Sequence, residues 1–453
     1  MTKNSHSPFP FFCWSLFWKG LLFFQTLLST FLGRFWRQRY EFEQRNKNDF
    51  YAQSWRQLNP SQKADVAFEV SSEGEFEQIR YLLTILLKEK KKIEFIYCSE
   101  SVEKTALQWC ASFPDQMRAL RLPLVSRQLS LHQWITASHL ILCRYDFFPA
   151  IMVYGLQKHI TFHLLLATTK NKPFRGLTGL FWKNLYRSFD KIVASTSRDQ
   201  RELALHFHVP EYQVRVWDFR IQSIQYRLKQ RLQKLSTSSS FPYLEALYQL
   251  FDRSQRILLG SFWDHEVGLF SKDFIEAICA KRCLVLIAPH QLDSTSLKNL
   301  TQQLQSLSLP LYLLGAQDQN QESFSSFLLS FQQRPGLCII LEKGILCELY
   351  ADVGSVYVGG GFGRSIHSVL EPLVAGSLVF VGPKIHRSTE YELGKEWASD
   401  RLFSFLTPQD FYSLWDFLSK EERALIKAWN QDFLPQKVSA EEIIDWVFSE
   451  KDC

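Results

Sequence analysis

Four glycines in five residues, Gly359, Gly360, Gly361 and Gly363, follow an apolar run at 356–358 and precede His367 and Glu371-Pro372. A glycine loop between a strand and a helix lets backbone N–H groups close on a phosphate at the positive end of the helix dipole. An acid one or two turns into that helix, the place of Glu371, is set to accept hydrogen bonds from ribose hydroxyls. These residue types in this order predict a nucleotide site. The alternative is a tight turn with close strand–helix packing. No Lys-Ser/Thr pair follows the glycines, so this is not a P-loop, and their spacing is not that of the dinucleotide fingerprint.

Two further loops carry candidate chemistry. Gly260-Ser261 follows Ile257-Leu258-Leu259 and is expected to open a strand-to-helix turn, where Ser261 and nearby N–H groups can hold a phosphate or a carboxylate. Trp263, just after it, is expected in the core or on a cleft wall, with the core favoured. Ser71-Ser72-Glu73-Gly74-Glu75 follows the apolar run 67–70. Ser72 stands three residues before Glu75, which is capping spacing, so the residues alone read Glu75 as a helix-capping acid.

The elements that must position these loops alternate. Strands are expected at 67–70, 93–97, 139–143, 161–167 and 191–194, with helical segments between them. The first helix carries apolar residues at Ile79, Leu82, Leu83, Leu86 and Leu87, one face of a 3.6-residue period. A polar, basic stretch that becomes Ser-rich separates the halves. Strands recur at 256–259, 284–287, 309–314, 336–341, 355–358 and 378–381. This is a parallel α/β pattern repeated, two Rossmann-like domains facing a cleft, with ligand loops at the carboxyl ends of strands. The expected division is 1–40, 41–219, a linker at 220–250, and 251–453, with the last helix packing back on the N-terminal domain. A chain of 453 residues fits two cores better than one.

Hydrophobic residues make up 46% and charged residues 22% of the chain, an ordinary globular balance, and the net charge of +6 suits a partner bearing phosphate or anionic lipid. No nucleic-acid partner is expected, and the oligomeric state stays open. Nine scattered cysteines without Cys-x-x-Cys spacing read as reduced structural thiols. No Asp-x-Asp sequence occurs, and no metal or cofactor is expected.

Residues 8–33 are strongly apolar, interrupted by Lys19 and Gln25 and followed by Arg34, Arg37, Arg39 and Arg45. They predict an N-terminal hydrophobic membrane anchor, spanning or in-plane, with the rest of the chain on the cytoplasmic side. A hydrophobic helix buried against the domain is the alternative.

Read together, SSEGE (71–75), RYDFFP (144–149), WDFR (217–220), GSFWDHE (260–266), APH (288–290) and GGGFGRSIHSVLEP (359–372) fall in an order that resembles the 3-deoxy-D-manno-octulosonic acid (Kdo) transferases. The resemblance covers roughly 67–396 and the N-terminal anchor, and is stronger in the second half. It implies a GT-B glycosyltransferase that moves Kdo from CMP-Kdo, the donor substrate, onto a lipid A precursor. By that resemblance Glu75, in a Ser72-x-Gly74-Glu75 motif, is the general base. Ser261, Pro289, His290, Gly359, Gly360, Gly361, Gly363, His367 and Glu371 bind the donor, and Ser72, Gly74, Arg144 and Arg220 contact the acceptor or line the cleft. The chain departs from the family pattern at Phe148, Trp217, Phe262 and Ser368. These departures leave open a divergent acceptor, reduced activity, or a catalytically silent membrane-bound relative; another GT-B enzyme using a different nucleotide sugar is a separate alternative.

Overall fold

A computed structural model describes residues 63–122, 135–144, 147, 149–169, 172–315, 324–385, 388–421 and 439–449, with isolated positions at 13, 15, 16 and 20. The expected membrane anchor and Phe148 lie outside the described residues. Among the described residues no helix is long and apolar enough to cross a membrane.

The first sheet comprises β1 (Val66–Val70), β2 (Ile93–Tyr97), β3 (Met117–Arg121), β4 (His139–Cys143), β5 (Thr161–Ala167), β6 (Lys191–Ala194) and β7 (Val214–Val216). The second comprises β8 (Arg256–Phe262), β9 (Leu284–Pro289), β10 (Leu311–Leu314), β11 (Leu337–Ile340), β12 (Ser355–Val358), β13 (Leu378–Val381) and β14 (Leu402–Ser404). All pairings are parallel, in the orders β3-β2-β1-β4-β5-β6-β7 and β10-β11-β9-β8-β12-β13-β14. The central strands are buried along their whole length because helices cover both faces, which is why they read as unbroken apolar runs.

Each sheet reverses its winding once, between β1 and β4 and between β8 and β12. Loops that leave such a switch point diverge and open a crevice at the carboxyl edge. The Ser71–Glu75 segment and Arg144 stand at the first switch point, and Ser261 and Gly359 at the second.

Ser72 caps the helix Glu73–Lys88, accepting from the Glu75 N–H, and the helix buries Phe76, Ile79, Leu82, Leu83, Leu86 and Leu87 against β1 and β2. Within 220–250, expected as a linker, the chain is helical over Phe219–Lys229, Arg231–Leu235 and Phe241–Tyr248. The division between the two compact units falls inside the first of these, between Ser223 and Ile224. The helix Ala440–Phe448 belongs to the first unit and adds Ile443, Ile444 and Val447 to its core. Cys143, Cys283, Cys338 and Cys347 are buried free thiols, and Cys98 is buried with Sγ directed at the Ser71 carbonyl.

Candidate functional site at the carboxyl edges of the sheets

β8 runs to Phe262, past its expected end at Leu259, because the chain bulges there. Its register against β9 shifts between Gly260 and Phe262, and Ser261 sits at φ +50°. A non-glycine residue in the left-handed region is uncommon and is held only by its surroundings. Gly359 supplies part of that hold. Its N–H donates to the Gly260 carbonyl at 2.9 Å, and a Cβ on Gly359 would stand 2.2 Å from the Ser261 carbonyl oxygen. Gly360, at φ +93°, turns the loop back on itself.

This loop is not an open phosphate cradle along its length. The Gly360 N–H donates at 2.8 Å to the carboxylate of Glu266, which also accepts from Tyr357 Oη at 2.6 Å and the Trp263 N–H at 3.1 Å. Glu266 is fully buried on the short helix Asp264–Leu269. Burial pushes its carboxyl up, against the three hydrogen bonds that favour the charged form. The Gly363 N–H closes on the Gly360 carbonyl at 3.0 Å. The tight-turn alternative therefore describes Gly359, Gly360 and Gly363. Glu266 was overlooked in the sequence; its one signal is an acid three residues beyond Trp263, at capping spacing.

The helix expected directly after the loop begins later. Residues 365–369 are irregular, and one helical turn spans Leu370–Val374. Ser365 and Ser368 offer the backbone other partners, and Pro372, which lacks an N–H, fits the first turn. Glu371 is therefore the second residue of a short helix, not one or two turns inside a long one. Arg227 Nη1 donates to Glu371 Oε1 at 3.1 Å, while Arg227 Nε and Nη2 grip both oxygens of the nearly buried Glu348 at 3.0 Å each. Burial works against the Glu348 charge, but the Arg227 fork holds its carboxyl below the ordinary range.

Three aromatic side chains gather at the ends of β8, β9 and after the glycine loop. Trp263 stacks on His290 with ring centroids 4.2 Å apart, and His290 stacks on His367 at 4.3 Å. Trp263 is half-buried, not a core residue. The His290 N–H donates to the Phe262 carbonyl at 2.9 Å, which continues the β8–β9 ladder past Pro289. Burial and then the neighbouring His290 pull His367 down to about 4, and burial lowers His290. Both imidazoles are thus neutral near pH 7, each with one N–H to donate and one nitrogen to accept. A flat, uncharged platform suits a nucleobase or a phosphate ester. The structure brings Ser261, Pro289, His290, Gly359–Gly363 and His367 to one edge. Phe262 is buried beneath them, where a side chain is needed for packing.

In the first unit, the Ser71 N–H donates to Glu75 Oε2 at 2.8 Å and Ser71 Oγ donates to Glu69 Oε1 at 2.9 Å. Glu75 is buried and has the capping geometry that its spacing from Ser72 predicts. Gly74 is exposed beside it. Arg144 ends β4 at φ +60° and is half-buried. Burial, then the charges of Glu75 and Glu69, hold the Cys143 thiol protonated, and Arg144 opposes them. Arg220 is clamped on Asp218 by Nε at 2.8 Å and Nη2 at 2.5 Å, and Trp217 is buried with Nε1 donating to Gln222. A cavity of about 850 Å³ opens at the opposite edge of this sheet, by Val66 and His139, and contains none of these residues. Among the described residues no group of three His, Cys, Asp or Glu side chains is arranged to hold a metal ion.

Two parallel seven-stranded sheets, each reversing at one switch point, define a two-Rossmann-like α/β fold of the GT-B class. The solved structures agree. UDP-GlcNAc 2-epimerase from Neisseria meningitidis bound to UDP-GlcNAc superposes with a TM-score of 0.57 and 14% identity, over 84% of this chain and 99% of that one. UDP-GlcNAc 2-epimerase from Methanocaldococcus jannaschii gives 0.54 and 11%, over 84% and 99%. The C-terminal CMP-Kdo binding domain of WaaA from Acinetobacter baumannii matches at 0.34 and 16%, over 49% and 98%, too slight a likeness to carry an argument. No protein-family model matches the sequence, and no curated protein does.

Proposed function

We propose that this chain is a nucleotide-sugar glycosyltransferase that moves Kdo from CMP-Kdo to a lipid A precursor at the cytoplasmic face of a membrane. The observation that carries the reading is the Trp263–His290–His367 platform at the switch point between β8 and β12. It supports a donor site in which the neutral imidazoles and the Ser261 bulge meet the nucleotide phosphate and Glu371, steadied by Arg227, meets the ribose. The order of sequence motifs supports Kdo as the sugar and Glu75 as the base. In the reaction so proposed, Glu75 takes the acceptor hydroxyl proton, the oxygen attacks the anomeric carbon, and CMP leaves with inversion. The leaving charge is met by the imidazole N–H groups of His290 and His367, already held in their stack, which spares the reorganisation water would need.

A second reading is a different nucleotide sugar, and the superposition on two UDP-GlcNAc 2-epimerases favours it. Incubation with CMP-Kdo and a lipid A precursor, with product mass analysis, tests the choice. Free CMP and a Kdo-bearing lipid are expected. Turnover of UDP-GlcNAc with no CMP release would replace the first reading by the second.

A further inference from the structure

We infer that residues 173–187, at the carboxyl edge of the first sheet, form a surface that lies on an anionic lipid bilayer. From Thr168 to Arg187 the sequence reads TTKNKPFRGLTGLFWKNLYR, with five cationic residues and no acid. The helix Gly176–Arg187 buries Leu185 and Tyr186 in the core. On its outer side Leu177 is 83% exposed and Leu180 55%, one helical turn apart, and Phe174 precedes them at 44%. Lys183 and Arg187 continue the line from Leu180 at helical spacing. Apolar side chains flanked by long cationic ones on one helix are the pattern of an interfacial helix, whose cations snorkel to the headgroups.

The presentation of these side chains is fixed. Gly179 lets the chain fold over its own helix: a Cβ there would stand 2.5 Å from the Phe174 carbonyl carbon. The Phe174 ring stacks on His206 at 4.2 Å, and Lys172 lies 4.0 Å over the Trp182 ring. The helix starts at the edge where β5 ends, the same edge at which Ser72 and Glu75 leave β1. A bilayer is the occupant that the charge selects, since Arg175, Lys183 and Arg187, with no acid in 173–187, meet a negative surface. The inference shares a lipid acceptor with the proposed function, but its test involves no sugar transfer, so the two fail separately.

Hydrogen exchange of the full chain is to be followed with phosphatidylcholine vesicles, with and without about one-third phosphatidylglycerol. Amides of 173–187 are expected to slow on the anionic vesicles and much less on the neutral ones. The exposed pair Leu177→Glu with Leu180→Glu is expected to abolish that slowing and to weaken anionic-vesicle partition about tenfold or more. Slowing confined to residues 8–33, or equal slowing of 173–187 on both vesicles, would overturn the inference. Should the double variant unfold, the exchange of the wild-type chain still decides.

Discussion

The imidazoles of His290 and His367 stack at 4.3 Å although the strands before them, β9 and β12, are separated by β8. The contact forms because Ser261 bulges and the glycine loop folds across the end of β8. Two neutral imidazoles stack without penalty, whereas two imidazolium ions would repel.

Burial of His367, and then its neighbour His290, make stability depend on pH. His367 lies at about 4 in the folded chain against an ordinary 6.5. Unfolded chains therefore bind more protons between these values, and stability is fully present above 6.5 and falls as pH drops towards 4. Its contribution to the slope is at most about 1.4 kcal/mol per pH unit, and less for a partly exposed ring. The variant His367→Gln should show a shallower loss of urea stability over this range. An identical slope in wild type and variant would remove His367 from the account.

Glu266 is expected to govern the glycine loop. It accepts three hydrogen bonds, from Tyr357 Oη, Gly360 N–H and Trp263 N–H. In Glu266→Gln the amide NH2 must face one of these donors, leaving a buried polar group unsatisfied at a cost of about 1–3 kcal/mol. Denaturant unfolding measures the loss. Weakened CMP binding should accompany it, because the loop carries Gly361 and leads to His367.

The central strands were legible because burial on both faces demands unbroken apolar runs. The strands that escaped notice, β3, β7 and β14, all lie at sheet edges. There one side is free, and Arg118, Arg121 and Arg215 interrupt the apolar pattern. The glycine loop was legible as a cluster of one residue type. Its partner was not, since Glu266 lies 94 residues from Gly360, and Arg227 lies 144 from Glu371. Local patterns reveal residues that share an element. Ion pairs between elements depend on register and packing, which no spacing records.

Arg227 joins two carboxylates, and its removal should be costly. Glu348 is almost wholly buried, so Arg227→Met leaves its charge to the more distant Lys234 Nζ at 3.4 Å, at a cost towards the low end of about 3–5 kcal/mol. Lys at this position keeps the charge but loses the fork, and should cost less. The double variant Arg227→Met, Glu348→Gln should recover part of the loss, which a denaturant series on the three proteins would reveal. Full additivity of the two single changes would mean that the pair is not coupled.

Glu75 offers the sharpest separation of structure from chemistry. Its Oε2 accepts the Ser71 N–H, and its own N–H donates to Ser72 Oγ. Gln can keep both bonds, since its amide oxygen still accepts and the backbone is unchanged. The variant Glu75→Gln should therefore stay folded and bind CMP as wild type does. As the proposed base it should lose transfer by about 10²–10⁴-fold, because an amide cannot take the acceptor proton. Loss of rate with unchanged CMP affinity identifies a group acting on the acceptor. A variant that transfers at the wild-type rate would leave Glu75 as a helix cap alone.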